Sequence, residues 1–338
     1  MVENLYVGSG VDFRKEHDVV EVIKRILRPT FDNRSGLVGE VQCDIGAYAN
    51  VVGFGDYSLA LTTDGVGSKV IVAQALGRYD SVGIDCVAMN VNDLLCVGAE
   101  PIAMVDYIAM QSMDKVIARD IAMGLAKGAK EANIAIVGGE TASMPDVIRG
   151  VGDRGFDLAG TALGVVRSDK IITGKRISSD DVILGFTSSG IHSNGLSLAR
   201  DILPKNMWLN LLTPTRIYVN PILDILSKYD VHGMAHITGG GFLNLNRLTD
   251  YGFTLDSLPE VSPIFKKIQE LGSVSDDEMY RTFNMGVGLC LVVSKGDCES
   301  ILSTYKDFGV YKIGYICDDS GVYIDRQGDC FKLTRVIY

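Results

Sequence analysis

Thr62-Thr63-Asp64-Gly65-Val66-Gly67-Ser68-Lys69 gathers a carboxylate, two glycines, a hydroxyl and a lysine into one short stretch. An apolar run, Leu59-Ala60-Leu61, reads as a strand before it, and Val70 to Leu76 reads as a helix after it. A strand-to-helix turn of this composition can bind phosphate. Glycines such as Gly65 and Gly67 let the backbone approach the anion, and helix N-terminal N–H groups attract it. A carboxylate beside that site suits Mg²⁺, which takes oxygen ligands and bridges protein carboxylates to substrate phosphates. The octapeptide is neither a P-loop nor a Gly-x-Gly-x-x-Gly loop. Ser68 precedes Lys69, and Val70 stands where a third glycine belongs. An ordinary Asp-Gly turn with a solvated lysine has the same appearance.

Three more glycine-rich stretches follow apolar runs. Gly138-Gly139-Glu140-Thr141 follows Ile134 to Val137, which reads as a short buried strand. Ser188-Ser189-Gly190-Ile191-His192-Ser193-Asn194-Gly195 follows a buried strand, Asp181 to Thr187, and leads into a helix over 196–203. Thr238-Gly239-Gly240-Gly241 follows a strand over 231–237 that carries His236, and another helix is expected after it. Polar residues also interrupt apolar segments. Asp85, Asn92 and Asp93 fall within a helix expected over Asp80 to Val97, and Asp106 falls within a strand over Pro101 to Met110. Buried carboxylates are costly unless paired or bound to metal. Asp64, Asp93, Asp106 and Glu140 are therefore the candidate metal ligands. Asp85 and Asn92 lie two helical turns apart and can share a face.

The elements that must hold these residues alternate. A helix over His17 to Leu27 stops at Pro29, residues 36–57 read as irregular, and Lys115 to Ala132 is an amphipathic helix. Strands over Asp157 to Val166 and Met285 to Val293 and a helix over 296–307 complete the pattern. A polar cluster near 167–180 separates two α/β units, taken as an N-terminal domain of residues 1–168 and a C-terminal domain of 169–338. In α/β proteins ligands bind where strand ends meet helix starts. At 338 residues with 47% hydrophobic content the chain can bury two cores. A net charge of −10 and the lack of any basic run argue against nucleic-acid binding. No apolar run approaches membrane-spanning length. Seven scattered cysteines without Cys-x-x-Cys argue against a disulfide framework and a zinc site, so a cytoplasmic location is expected.

Taken together, these stretches resemble a family. TTDGVGSK at 62–69, VGIDCVAMNVNDLLCVGAEP at 82–101, VGGETASMP at 137–145, SSGIHSNGLSLAR at 188–200, LTPTRIYV at 212–219, HITGGGF at 236–242 and EMYRTFNMGVG at 278–288 resemble aminoimidazole ribonucleotide synthetase, or phosphoribosylformylglycinamidine cyclo-ligase. The matches span nearly the whole chain in order. SSGIHSNG and the 278–288 stretch separate this family from selenophosphate synthetase, thiamine-monophosphate kinase, the hydrogenase-maturation dehydratase and the large amidotransferase of the preceding step.

The resemblance implies a homodimer whose N-terminal sheets pair into a barrel, and a C-terminal α/β domain that closes over substrate. It implies ATP-dependent cyclisation of formylglycinamidine ribonucleotide through a phosphorylated amide, with ATP and Mg²⁺ as cofactors. Asp64 and Glu140 would meet Mg²⁺ or nucleotide phosphate, and Asp93 and Asp106 would be metal-shell partners. Lys69, Gly65, Gly67, Ser68, Asn92, Gly138, Gly139 and Thr141 would line the nucleotide, with Lys24 from the N-terminal segment. Ser189, Gly190, Ser193 and Asn194 would contact substrate. His192 and His236 are the acid/base candidates, with Asp64 as a third catalytic group. One departure stands out. Where the family has Gly-Gly-Phe-Gly, this chain reads Cys43-Asp-Ile-Gly-Ala-Tyr-Ala-Asn50. A small-molecule kinase on the same scaffold and a nucleotide-binding regulator are the competing classes.

Overall fold

The computed structural model describes residues 13–326 and 328–333, without the side chains of 13–17. Residues 1–16 read from the sequence as a polar tail; residues 1–12 of it lie outside this range, and residues 13–16 belong instead to the first helix. The elements are α1 (Phe13–Leu27), β1 (Asn50–Phe54), β2 (Tyr57–Gly65), α2 (Lys69–Leu76), α3 (Asp80–Cys96), β3 (Glu100–Met110), α4 (Lys115–Ala132), β4 (Ala135–Ser143) and β5 (Phe156–Arg167). There follow β6 (Val182–Thr187), α5 (Leu196–Ile202), α6 (Val219–Lys228), β7 (Val231–His236), β8 (Gly252–Leu255), α7 (Pro263–Gly272), α8 (Asp276–Thr282), β9 (Val287–Val293), α9 (Lys295–Thr304), β10 (Val310–Cys317), β11 (Gly321–Arg326) and β12 (Asp329–Lys332). The mixed α/β reading holds. Both sheets are nevertheless mainly antiparallel.

The first sheet has the order β1-β2-β5-β3-β4, and only its β3–β4 pair is parallel. That pair is joined through α4, whose Asp114 N-cap accepts the amides of Val116 and Ile117. α3 is buried almost throughout, which explains why its sequence is apolar on every side. It lies against the sheet and against α4, and the two helices cross at glycines. A Cβ on Gly124 would fall 1.9 Å from the carbonyl oxygen of Asp80. The other face of this sheet is open. Leu61, Val105 and Tyr107 all point to it and are exposed. The sheet does not close into a barrel within one chain.

The second sheet has the order β12-β11-β8-β10-β6-β9-β7, in which β8–β11 is the parallel pair. Every residue of β9 is buried, so Val287–Val293 reads as a continuous apolar run rather than an alternating one. Cys86 and Cys290 are buried thiols, as their apolar neighbours suggest, and the seven cysteines are unpaired. Among the described residues no helix is long and apolar enough to cross a membrane.

Three expectations need correction. Residues 36–57 are not wholly irregular, because Asn50–Phe54 forms a hairpin with β2 over Gly55, at φ 67°. Gly138 to Thr141 do not follow a short buried strand. They lie within the exposed edge strand β4, which pairs with β3 alone. The chain after Thr238 forms a 3₁₀ turn, Gly241–Arg247, instead of an α-helix. Gly240 and Gly241 at φ 91° and 55° set a tighter path there.

Candidate active site

Asp64 lies near the end of β2, and the helix α3 fastens that strand end. Asn90 of α3 accepts the Asp64 N–H and donates to the Asp64 carbonyl, each at 3.1 Å. One Asp64 carboxylate oxygen accepts the Gly65 N–H at 2.7 Å. Thr63 donates to the Gly160 carbonyl across the sheet. Gly67 takes φ 65° and turns the chain into α2, as the octapeptide suggests.

The sheet register then aligns carboxylates. Asp64 pairs with Gly160, Gly160 with Asp106, and Asp106 with Gly139. A Cβ on Gly160 would meet Asn90 and Met104, so this row faces α3. A Cβ on Gly139 would fall 2.5 Å from an Asp106 carboxylate oxygen. Asp64 and Asp106 thus share one face with glycines between and beside them. Glu140 follows Gly139 and so points to the opposite face. Gly138 and Thr141 are exposed on the same edge strand.

Two segments of the second half complete the site. His236, at the end of β7, is fully buried, and its Nδ1 lies 2.9 Å from an Asp93 carboxylate oxygen of α3. A carboxylate only accepts, so Nδ1 carries the proton. Asn92 Nδ2 lies 3.5 Å from His236 Nε2. Burial, with the Asp93 charge behind it, raises the Asp64 carboxyl from its ordinary value to about 6, against the pull of the Gly65 N–H and His236. Burial likewise raises Asp106.

His192 lies in the Ser188–Gly195 loop at φ 60° and is fully buried. Its Nε2 accepts the Ser189 N–H at 3.2 Å and the Arg216 N–H at 3.5 Å. Its Nδ1 has no hydrogen-bond partner among the described residues. Burial, then the charges of His236, Lys69 and Arg216, hold this imidazole neutral, well below the ordinary histidine range. Ser189 donates to the Pro214 carbonyl, Ser193 meets Thr215, and Gly190 is held by Asn284 through its carbonyl. Asn194 lies against Gly239, and its Nδ2 is buried without a described partner.

Lys69, expected at a phosphate, is placed elsewhere. Its Nζ is fully buried, 2.9 and 2.8 Å from the two Asp85 carboxylate oxygens, and donates to the Thr213 carbonyl at 2.7 Å. Burial holds its ammonium below the usual lysine value, and Asp85 pulls the other way. Asp85 also accepts the Thr215 N–H and hydroxyl at 2.7 and 2.6 Å. Asn92 donates to the Arg216 carbonyl and accepts the Tyr218 N–H. Asp85 and Asn92 do share a face, and that face grips residues 213–218. Removing one member of a buried ion pair strands the other charge. Lys69→Met is expected to lower unfolding free energy by about 3 kcal/mol in urea melts, with an unchanged denaturant slope. Ser68 meets Ser197 of α5 at 3.3 Å. Lys24 pairs with Glu21 at 2.7 Å and lies beside Gly46.

Asn90, Thr215, Arg216 and Asn284 were not singled out from the sequence. Asn90 carried the same signal as Asn92, a polar residue inside an apolar helix. Among the described residues no group of three or more His, Cys, Asp or Glu side chains is arranged to hold a metal. Asp64 and Asp93 nonetheless fit Mg²⁺, which takes one or two protein carboxylates and fills its shell with phosphate and water. A dication would relieve the crowding that raises Asp64.

Two mainly antiparallel sheets, each with its own helices, make a two-domain mixed α/β fold, and family models identify it as that of AIR synthase. The AIR synthase related protein N-terminal domain matches residues 46–166, and the corresponding C-terminal domain matches 178–326. The phosphoribosylformylglycinamidine cyclo-ligase of Pyrococcus furiosus is 50% identical over 335 residues, covering 96% of this chain and 98% of the relative. The thiamine monophosphate kinase of Aquifex aeolicus, solved with AMPPCP and TMP, superposes with a TM-score of 0.65 at 15% identity, over 94% of this chain and 97% of that one. T. maritima PurL, solved with ADP, gives 0.61 at 18% identity, over 86% of this chain and 45% of that one. The chain belongs to the phosphoribosylformylglycinamidine cyclo-ligase family and is a ligase.

Proposed function

We propose that the chain cyclises formylglycinamidine ribonucleotide to aminoimidazole ribonucleotide, with ATP going to ADP and phosphate, in purine biosynthesis. The observation that carries this is the convergence of Asp64, Asp93 and His236 where the two halves meet. The names of the relatives and the nucleotides held in two similar structures support it. The domains divide at 168/169.

An amide oxygen is a poor leaving group. It takes the γ-phosphoryl to give an iminophosphate, an amidine-side nitrogen closes the ring, and phosphate departs. Asp64 and Asp93 would hold Mg²⁺, which would offset phosphate charge. Asp106 supports the row from across Gly160. His236, oriented by Asp93, moves the proton of the closing nitrogen. His192 braces the Ser188–Gly195 loop, whose Ser189, Gly190, Ser193 and Asn194 face the substrate. Holding the two reacting ends together supplies much of the remaining acceleration.

The test is ATP turnover with and without formylglycinamidine ribonucleotide, following ring formation. Aminoimidazole ribonucleotide is expected one-for-one with ADP. ADP without ring closure would instead make the chain a kinase-like relative, and ATP turnover indifferent to the ribonucleotide would end the reading.

The open sheet face around Leu61, Val105 and Tyr107 is taken to meet a second copy. Val105→Glu should then convert a dimer into a monomer by light scattering after gel filtration. A variant that keeps the wild-type mass would place the contact elsewhere.

A further inference from the structure

Arg247, an exposed residue ending the Gly241–Arg247 turn, reaches back to a segment far away in sequence. Its Nε and Nη2 donate to the Gly46 carbonyl at 3.2 and 2.8 Å. Its guanidinium carbon lies 4.0 Å from the centre of the Tyr48 ring. Tyr48 is buried, and its hydroxyl donates to the Asn244 carbonyl at 3.2 Å. The Tyr48 carbonyl accepts the Thr62 hydroxyl at 3.2 Å, two residues before Asp64. Asn244 in turn donates to the carbonyls of Gly239 and Gly241, in the loop that follows His236.

The near end of this segment is tied to the end of α1 and to the residue that follows it. Arg28 pairs with Asp44 at 3.0 Å, and a Cβ on Gly46 would lie 3.4 Å from Lys24 Nζ. Residues 44–48 therefore form a strap. It runs from α1 to the Asp64 strand and is fastened to the His236 side by Arg247. A tyrosine ring here gives Arg247 something to stack on. Lysine could not replace the arginine fully, because it lacks the planar fork that both stacks and donates twice.

We propose that Arg247 is a positioning residue for the nucleotide: it pins the 44–48 strap, and Lys24 behind it, beside the Asp64–Asp93 pair. The proposal rests on the reading that this cleft takes Mg-ATP. Losing Arg247 should weaken nucleotide binding and spare the chemical step.

Arg247→Ala and Arg247→Lys test it, with steady-state kinetics in Mg-ATP and amide hydrogen exchange across 44–48 in the ligand-free protein. For Arg247→Ala the KM for Mg-ATP should rise about tenfold with kcat within about twofold, and exchange across the strap should quicken about tenfold. Arg247→Lys should fall between alanine and wild type in both. Unchanged exchange, or a fall in kcat at constant KM, would overturn the proposal. If the wild-type chain forms no aminoimidazole ribonucleotide, the cyclo-ligase reading fails by itself. Exchange and calorimetric Mg-ATP binding then still decide the strap.

Discussion

Asp64→Asn is expected to lower kcat/KM on the order of 10³-fold while leaving the protein at pH 7 at least as stable as wild type. The two halves of this result have one cause. Burial and the Asp93 charge raise the Asp64 carboxyl from 3.8 to about 6. The folded chain therefore binds that proton more tightly than the unfolded chain does. The stabilisation is complete below the unfolded value and is lost as pH rises through about 6. At neutral pH the folded state holds a crowded, desolvated anion. Asparagine removes that anion, and its side-chain oxygen can still accept the Gly65 N–H that Asp64 accepts at 2.7 Å. Activity should fall because the anion is what a Mg-nucleotide needs. Calorimetry supplies the pH arm. Wild-type affinity for Mg-ATP should weaken about tenfold per pH unit below the value near 6 and level off above it. Asp64→Asn should bind weakly without that slope. A variant that loses stability in proportion to activity would reduce Asp64 to a structural residue.

Much of the frame was legible in the sequence. The α3 segment announced itself by an apolar run that ends at Val97, and Asp85, Asn92 and Asp93 announced work by interrupting it. What could not be read was the direction of that work. Periodicity places Asp85 and Asn92 on one face, yet nothing local says that the face grips residues 213–218, more than a hundred positions away. Lys69 follows the same logic. Its octapeptide suits a phosphate, but the partner that claims its ammonium is Asp85, and tertiary packing decides between them. The placement of Glu140 was hidden by register. Glycine-rich composition suggested a loop, whereas edge pairing with β3 keeps residues 138–141 extended and turns Glu140 away from Asp106. The loop carrying His192 was found by composition, but its enclosure was not, because that depends on Arg216 from another segment.

The two buried histidines should separate cleanly under mutation. His236→Asn is expected to lower kcat on the order of 10³-fold with little change in either KM. The asparagine amide can take the place of Nδ1 and keep the 2.9 Å link to Asp93, so the junction between α3 and β7 survives. It has no second nitrogen to exchange a proton, so ring closure slows. His192 gives the opposite forecast. Its Nε2 serves two backbone N–H groups, and burial keeps the ring neutral across the working range. A glutamine carbonyl can accept those N–H groups, so His192→Gln should stay within about tenfold of wild-type kcat, with an unaltered pH profile. The assignment turns on this contrast, because the rings share burial and differ in what their nitrogens meet. If His192→Gln proves the more damaging in kcat while melting normally, the proton passes through His192, and the Asp93–His236 pair becomes a latch between the two halves.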